Sequence, residues 1–275
     1  MESMRPIGVF DSGYGGLTVL KEIIARLPRY DYLYLGDNAR TPYGTRSFET
    51  VYQYTLQCVQ WLFDQGCPLI ILACNTASAK ALRTIQQVDL PKEDPARRVL
   101  GVIRPTSEII GQLTRTKQVG VLATTGTVQS GSYLLEIQKF FPGIKVFQEA
   151  CPMWVPLIEN GEHRGPGADY FVKKHIDGLL SQSDGIDMIL LACTHYPLLQ
   201  NKIQEFIPPH IQLVAQGAIV AASLDDYLQR HVDLAQTCTQ EGRRFFYTTD
   251  STEGFDKQAG LFFGQAVNSA HVSLQ

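Results

Sequence analysis

Residues 70–77 read Ile70-Ile71-Leu72-Ala73-Cys74-Asn75-Thr76-Ala77, and residues 189–196 read Ile189-Leu190-Leu191-Ala192-Cys193-Thr194-His195-Tyr196. Each is a short apolar run of the kind that forms a strand buried on both faces, ended abruptly by a cysteine and two polar residues. In a parallel sheet, whatever follows such a strand is delivered to the edge where ligands bind. A second echo lies at a similar offset. Ile7-Gly8-Val9-Phe10 with the loop Asp11-Ser12-Gly13 resembles Val119-Gly120-Val121-Leu122 with Ala123-Thr124-Thr125-Gly126. The same strand–loop units therefore recur in the same order in each half, as in a duplicated α/β architecture.

The rest of the chain agrees. Apolar strand candidates at 6–10, 31–35, 69–73, 99–103, 118–122, 144–148, 187–192, 212–214 and 244–248 alternate with amphipathic stretches at 16–27, 47–64, 76–87, 105–115, 129–140, 168–181, 197–206, 217–229 and 254–268. Ser47 is placed to cap the second helix, and Gly66 lies just beyond its end. Residues 87–98 and 208–212 interrupt the apolar periodicity with charge and proline, and read as linkers. The predicted fold class is α/β, with two similar parallel-rich domains related by a pseudo-two-fold and an active site in the crevice between them. The expected division is 1–99 plus 211–275 for the first domain and 100–210 for the second.

Composition narrows the function. The 275 residues are 44% hydrophobic and carry 24 Lys plus Arg against 27 Asp plus Glu, an ordinary globular balance that offers no basic field for nucleic acid. The apolar runs are too short to span a bilayer, so no membrane segment is expected, and the start lacks a signal-peptide pattern, so a cytoplasmic protein is expected. The six cysteines contain no Cys-x-x-Cys pair and match no zinc or disulfide framework, so no metal is expected.

Small apolar thiols usually fill cores, and Cys58, Cys67, Cys151 and Cys238 are read that way. Cys74 and Cys193 differ, because each sits past a strand end at a helix N-terminus, where dipole and free N–H groups favour a thiolate. Asp11 fits either a helix cap or a carboxylate aimed at a nearby acid or base. Gly13, Gly15 and Gly16 allow close backbone approach to a small ligand, although the loop is neither a Walker loop nor Gly-x-Gly-x-x-Gly. The loop Leu35–Gly44 follows the second strand, and belongs beside the Asp11 loop. Among the six histidines, His195 is the one that falls on such a strand end.

Together, Asp11-Ser12-Gly-x-Gly-Gly, Pro42-Tyr43-Gly44, Ala73-Cys74-Asn75-Thr76-Ala77 and Ala192-Cys193-Thr194-His195-Tyr196-Pro197 resemble the glutamate racemase family. The likeness extends through Cys151-Pro152-x-x-Val155-Pro156-Leu157-Ile158-Glu159 and Phe246-Tyr247-Thr248-Thr249-Asp250, so it covers essentially the whole chain. It implies cofactor-independent conversion of L-glutamate to D-glutamate for peptidoglycan synthesis, in an enzyme expected to be a homodimer. It implies Cys74 as the base for the D-enantiomer and Cys193 for the L-enantiomer, with Asp11 and His195 as their helpers. Ser12, Tyr43, Gly44, Asn75, Thr76 and Thr194, together with Asp11 and His195, match substrate contacts, and Thr124 in the duplicated loop is a further candidate. Arg104 and Ala215-Gln216 depart from the pattern, standing where an acidic residue and an Asp-Ser-type sequence are expected. Rival readings are a relative acting on aspartate or hydantoins, a binding module descended from the enzyme, and a dithiol redox protein. The Asp-Ser-Gly loop, the Thr194-His195-Tyr196-Pro197 context and the intact cysteines favour the racemase.

Overall fold

The computed structural model describes residues 4–94 and 96–274. Its strands are β1 (Ile7–Asp11), β2 (Tyr32–Gly36), β3 (Leu69–Leu72), β4 (Arg98–Gly101), β5 (Gln118–Ala123), β6 (Lys145–Ala150), β7 (Met188–Ala192), β8 (Gln212–Ala215), β9 (Arg244–Thr248) and β10 (Ser269–His271). They form a six-stranded sheet of order β10-β9-β2-β1-β3-β4 and a four-stranded sheet of order β6-β5-β7-β8. Every pairing is parallel. The α/β class is as expected, and the duplication is visible in the order itself: β2-β1-β3-β4 and β6-β5-β7-β8 are the same arrangement of successive strands.

Continuous apolar runs become the central strands because helices cover both sheet faces. Alternate residues Phe10, Leu33, Leu35, Ile70 and Leu72 pack on Val51, Val59, Leu62 and Phe63 of helix Phe48–Asp64. The opposite set, Ile7, Val9, Tyr32, Tyr34, Leu69 and Ile71, packs on Leu17, Leu20 and Ile23 of helix Gly16–Arg26. That core continues without a break into Ile176, Leu179, Ile189 and Leu191 of the second sheet's unit. A third cluster, Val119, Val121, Leu190 and Ala192 with Ile110, Tyr133 and Ile137, fills the second sheet's other face.

The sheets divide the chain differently from the expected boundary at 210/211. β8 pairs with β7 in the register Met188↔Gln212 to Leu191↔Ala215, so 212–215 lies in the second sheet as the counterpart of β4. Helix Gly217–Arg230 then packs on helix Gly16–Arg26, and the chain returns to the first sheet at β9. Two further details differ. The helix expected at 76–87 is broken into Asn75–Lys80, Leu82–Thr84 and a π-helical turn at Ile85–Asp89, and β10 adds a strand at the sheet edge.

The return to the first sheet is fastened by Asp31, immediately before β2. Its fully buried carboxylate accepts from the main-chain N–H of Glu241 (3.1 Å) and Arg243 (2.8 Å) and from the Arg243 guanidinium (3.1 and 2.8 Å). Burial alone would raise this carboxyl; the hydrogen bonds hold it below its ordinary value. Removing the acceptor strands several donors, so Asp31→Ala is expected to cost about 3 kcal/mol of unfolding free energy in urea titration. A loss below about 0.5 kcal/mol would show that β9 is held by strand pairing alone.

Candidate active site

Four strand ends build the site. β1 ends at Asp11, β3 leads through Ala73 to Cys74, β5 leads to Thr124, and β7 leads to Cys193. Register places Phe10 beside Leu72 and Ala123 beside Ala192, so the corresponding ends lie next to one another in each sheet. Both cysteines are buried free thiols.

Cys74 caps the helix Asn75–Lys80, its sulfur accepting from the Ala77 N–H at 3.5 Å while its S–H donates to Ser12 Oγ at 3.5 Å. Burial, and then the nearby Asp11 carboxylate, push this thiol up to about 12, against the Ser12 and Ala77 hydrogen bonds. The charge of Cys193 acts in the same upward direction, which places the two sulfurs within electrostatic reach of each other. Asp11 accepts from Gly13 N–H (3.0 Å) and, across to the other unit, from the Thr194 hydroxyl (3.4 Å). Burial raises its carboxyl too, against the pull of His195 and of the Gly16 and Gly13 N–H groups.

Cys193 has a different companion. The buried His195 imidazole, two residues on, has its Nε2 2.9 Å from Glu159 Oε1. Burial works to discharge the ring, but the influence of Cys193 and of the hydrogen-bonded Glu159 prevails and raises it to about 10. The two units lock together here. Thr18 Oγ1 donates to the Thr194 carbonyl at 2.9 Å, and a Cβ on Gly15 would fall 2.2 Å from Thr194 Oγ1 and 2.4 Å from His195 Nδ1. The glycine of this loop therefore admits the opposite loop of the protein, where close approach to a ligand had been expected.

The other expected contacts gather around this centre in two sets. Thr76 and Thr124 hydroxyls lie 2.9 Å apart, with Thr127 at 3.4 and 3.1 Å from them, and Gly44 meets the same loop by accepting from the Gly126 N–H at 2.7 Å. Asn75 is tied to Gln216 (2.8 Å) and Tyr133 (2.5 Å). Tyr43 departs from expectation, because its hydroxyl is taken by the buried Asp37 carboxylate, which also accepts from Arg40 (2.7 Å) and Thr249 (2.8 Å). A buried carboxylate needs its donors, and Tyr43 is one of them. Arg104 is remote, exposed and paired with Glu108 at 2.8 Å, on a cavity of about 750 Å³ that contains none of the candidate residues. Among the described residues no group of three or more His, Cys, Asp or Glu side chains is placed to hold a metal ion, and no helix is long and apolar enough to cross a membrane.

A family model described as Asp/Glu/Hydantoin racemase matches residues 7–224. The chain belongs to that family. A glutamate racemase from Geobacter metallireducens is 38% identical over 273 residues, covering 98% of this chain and 97% of the relative. A glutamate racemase isoform from Bacillus anthracis superposes with a TM-score of 0.90 at 32% identity, covering 99% of both chains. The glutamate racemase from Francisella tularensis in complex with D-glutamate does so at 0.87 and 33%, covering 99% of this chain and 98% of the other. By family, this protein is an amino-acid racemase.

Three groups escaped the sequence reading. Glu159 belongs to a quoted stretch but had no role until the fold brought it to His195. Asp37 reads as a turn residue, and Tyr133 as ordinary helix core. No local pattern marks them, because their partners lie 36, 6 and 58 positions away.

The His195 shift makes a stability prediction. A ring that titrates near 10 folded and 6.5 unfolded contributes stability that is complete below pH 6.5 and lost as pH rises towards 10. The melting-temperature difference between the parent protein and His195→Gln is therefore expected to shrink across that window. A difference independent of pH would show that His195 is not held protonated.

Proposed function

We propose that this protein interconverts L- and D-glutamate without a cofactor, by a two-base mechanism in which Cys74 and Cys193 act on opposite faces of the α-carbon. The observation that carries the reading is the pair of buried thiols at equivalent strand ends of two duplicated sheets, within electrostatic reach of each other and differently assisted. Full-length likeness to glutamate racemases supports glutamate as the substrate.

Removing an α-proton from an amino acid requires a base on one face and a proton donor on the other. We assign the starting thiolate to Cys193, with the His195 cation as its counterion and Glu159 holding the ring. Cys74, pushed up to about 12, starts as the thiol. In the L-to-D direction the Cys193 thiolate takes the α-proton and becomes a thiol, while the Cys74 S–H protonates the opposite face and becomes a thiolate. The reverse direction starts with the proton on Cys193, with Asp11 and Ser12 beside the Cys74 sulfur. Total charge is unchanged, so the buried site creates no net charge at any stage.

Ser12, Asn75, Thr76, Thr124 and Thr194 supply neutral donors for the substrate's carboxylates, as does the main chain around Gly44. Fixed donors of this kind stabilise the carbanion-like transition state better than water does, because they are oriented before the reaction. The product suits peptidoglycan synthesis in the cytoplasm.

Purified protein treated with a chelator, with no cofactor added, is expected to racemise glutamate from either enantiomer and to act on aspartate at least about tenfold less well. Cys74→Ser and Cys193→Ser are each expected to lower kcat for glutamate by more than about 10³-fold with the fold intact, as circular dichroism would report. Racemisation surviving equally in both variants would remove the cysteines as the bases, and aspartate turned over as well as glutamate would reassign the substrate.

A further inference from the structure

Gln216, where the sequence resemblance implies an Asp-Ser-type sequence, lies against a residue of the site. It follows β8 directly, is almost fully buried, and reaches Asn75, the neighbour of Cys74. Asn75 Nδ2 donates to Gln216 Oε1 at 2.8 Å, Gln216 Nε2 donates to the Tyr133 hydroxyl at 2.6 Å, and the Tyr133 hydroxyl donates to Asn75 Oδ1 at 2.5 Å. The three bonds close a ring in which every group donates once and accepts once. Bonds in such a ring polarise and strengthen one another.

Taken alone, the ring could run in either direction, since both amides and the phenol can donate and accept. The Val102 carbonyl decides. It lies 3.2 Å from Gln216 Nε2 and can accept only, so the nitrogen end of Gln216 must face it. Thr106 agrees: its hydroxyl proton is directed to the same carbonyl at 3.3 Å, and its oxygen, 3.0 Å from Gln216 Nε2, shares with that carbonyl the one N–H that Gln216 does not give to Tyr133. With Gln216 fixed, the Tyr133 proton goes to Asn75 Oδ1. Burial pushes the Tyr133 phenol up, so it remains a neutral donor. The Asn75 carbonyl is thereby occupied, and Nδ2 retains one N–H beyond the bond to Gln216.

We propose that Gln216 is a positioning residue that sets the polarity of Asn75, so that this carboxamide meets the substrate with an N–H suited to a carboxylate oxygen rather than with a carbonyl suited to an ammonium group. The inference rests on the reading that Asn75 contacts glutamate. Gln216 itself makes no contact with the substrate. It also ties the residue after Cys74, on the first sheet, to Tyr133 and β8 of the second unit, so the polarity is held from both sides of the site.

The test is a double-mutant cycle with KM and kcat for L-glutamate as readouts. Gln216→Met keeps the length and packing while deleting both hydrogen-bonding ends, and Tyr133→Phe opens the same ring from its other corner. Each is expected to raise KM by about five- to tenfold with kcat within about threefold, the size of one lost hydrogen bond. Asn75→Ala is expected to raise KM at least as much, and adding Gln216→Met or Tyr133→Phe to it should raise KM no further. A further, multiplicative rise in the doubles, a fall in kcat alone, or an unchanged KM in a folded Gln216→Met protein would overturn the proposal. If Gln216→Met does not fold, Tyr133→Phe carries the cycle by itself. If the parent protein does not racemise glutamate, the functional reading fails separately, and the same cycle read as the calorimetric Kd for glutamate decides whether Gln216 acts through Asn75.

Discussion

The His195 imidazole is buried against the Glu159 carboxylate, which with Cys193 raises the ring to about 10 in spite of its burial, and much of the surrounding structure holds it there. An unpaired buried cation would discharge or unfold its surroundings; one paired on both sides holds its proton well above neutral pH. Glu159 reaches it from the end of helix Trp154–Glu159, and Gly15 removes the side chain that would collide with the ring. Thr18 fixes the main chain one residue before it. The Asp11 loop and the His195 loop come from different sheets, so the same contacts that position the cation also join the two halves.

Duplication explains the symmetry of the site, and substitution explains its chemistry. The order β2-β1-β3-β4 repeats as β6-β5-β7-β8, which brings Cys74 and Cys193 to equivalent places. Their companions are not equivalent. Cys74 has a hydroxyl and a carboxylate beside it, both buried, and is held as a thiol; Cys193 has an imidazolium. The proposed mechanism, which passes a proton from one face of a carbon to the other, needs that inequality at the start of each turnover, with Ser12 and Asp11 on one side and His195 and Glu159 on the other.

The strands were legible because buried parallel strands are continuous apolar runs, and the paired cysteines because they interrupt two such runs in the same way. The place of 212–215 was misjudged although a signal existed: β8 follows β7 in the repeated strand order as β4 follows β3. Apolar periodicity says that Gln212–Ala215 is a strand but not which sheet edge it joins. Tyr43 was legible as a site loop residue and not in its side chain, since its partnership with Asp37 depends on the burial of that carboxylate. The ring of Asn75, Tyr133 and Gln216 joins residues from three parts of the chain, and no spacing rule foretells it.

The central claim is that two separate bases face one carbon. Glutamate of one enantiomer incubated in deuterium oxide, with product and remaining substrate separated at low conversion, tests it most directly. Two bases predict deuterium at the α-carbon of the product from the first turnovers, with the recovered substrate still carrying protium, whichever enantiomer is supplied. Product that retains the original α-proton, or substrate that acquires deuterium as fast as product forms, would mean a single base serving both faces and would contradict the account.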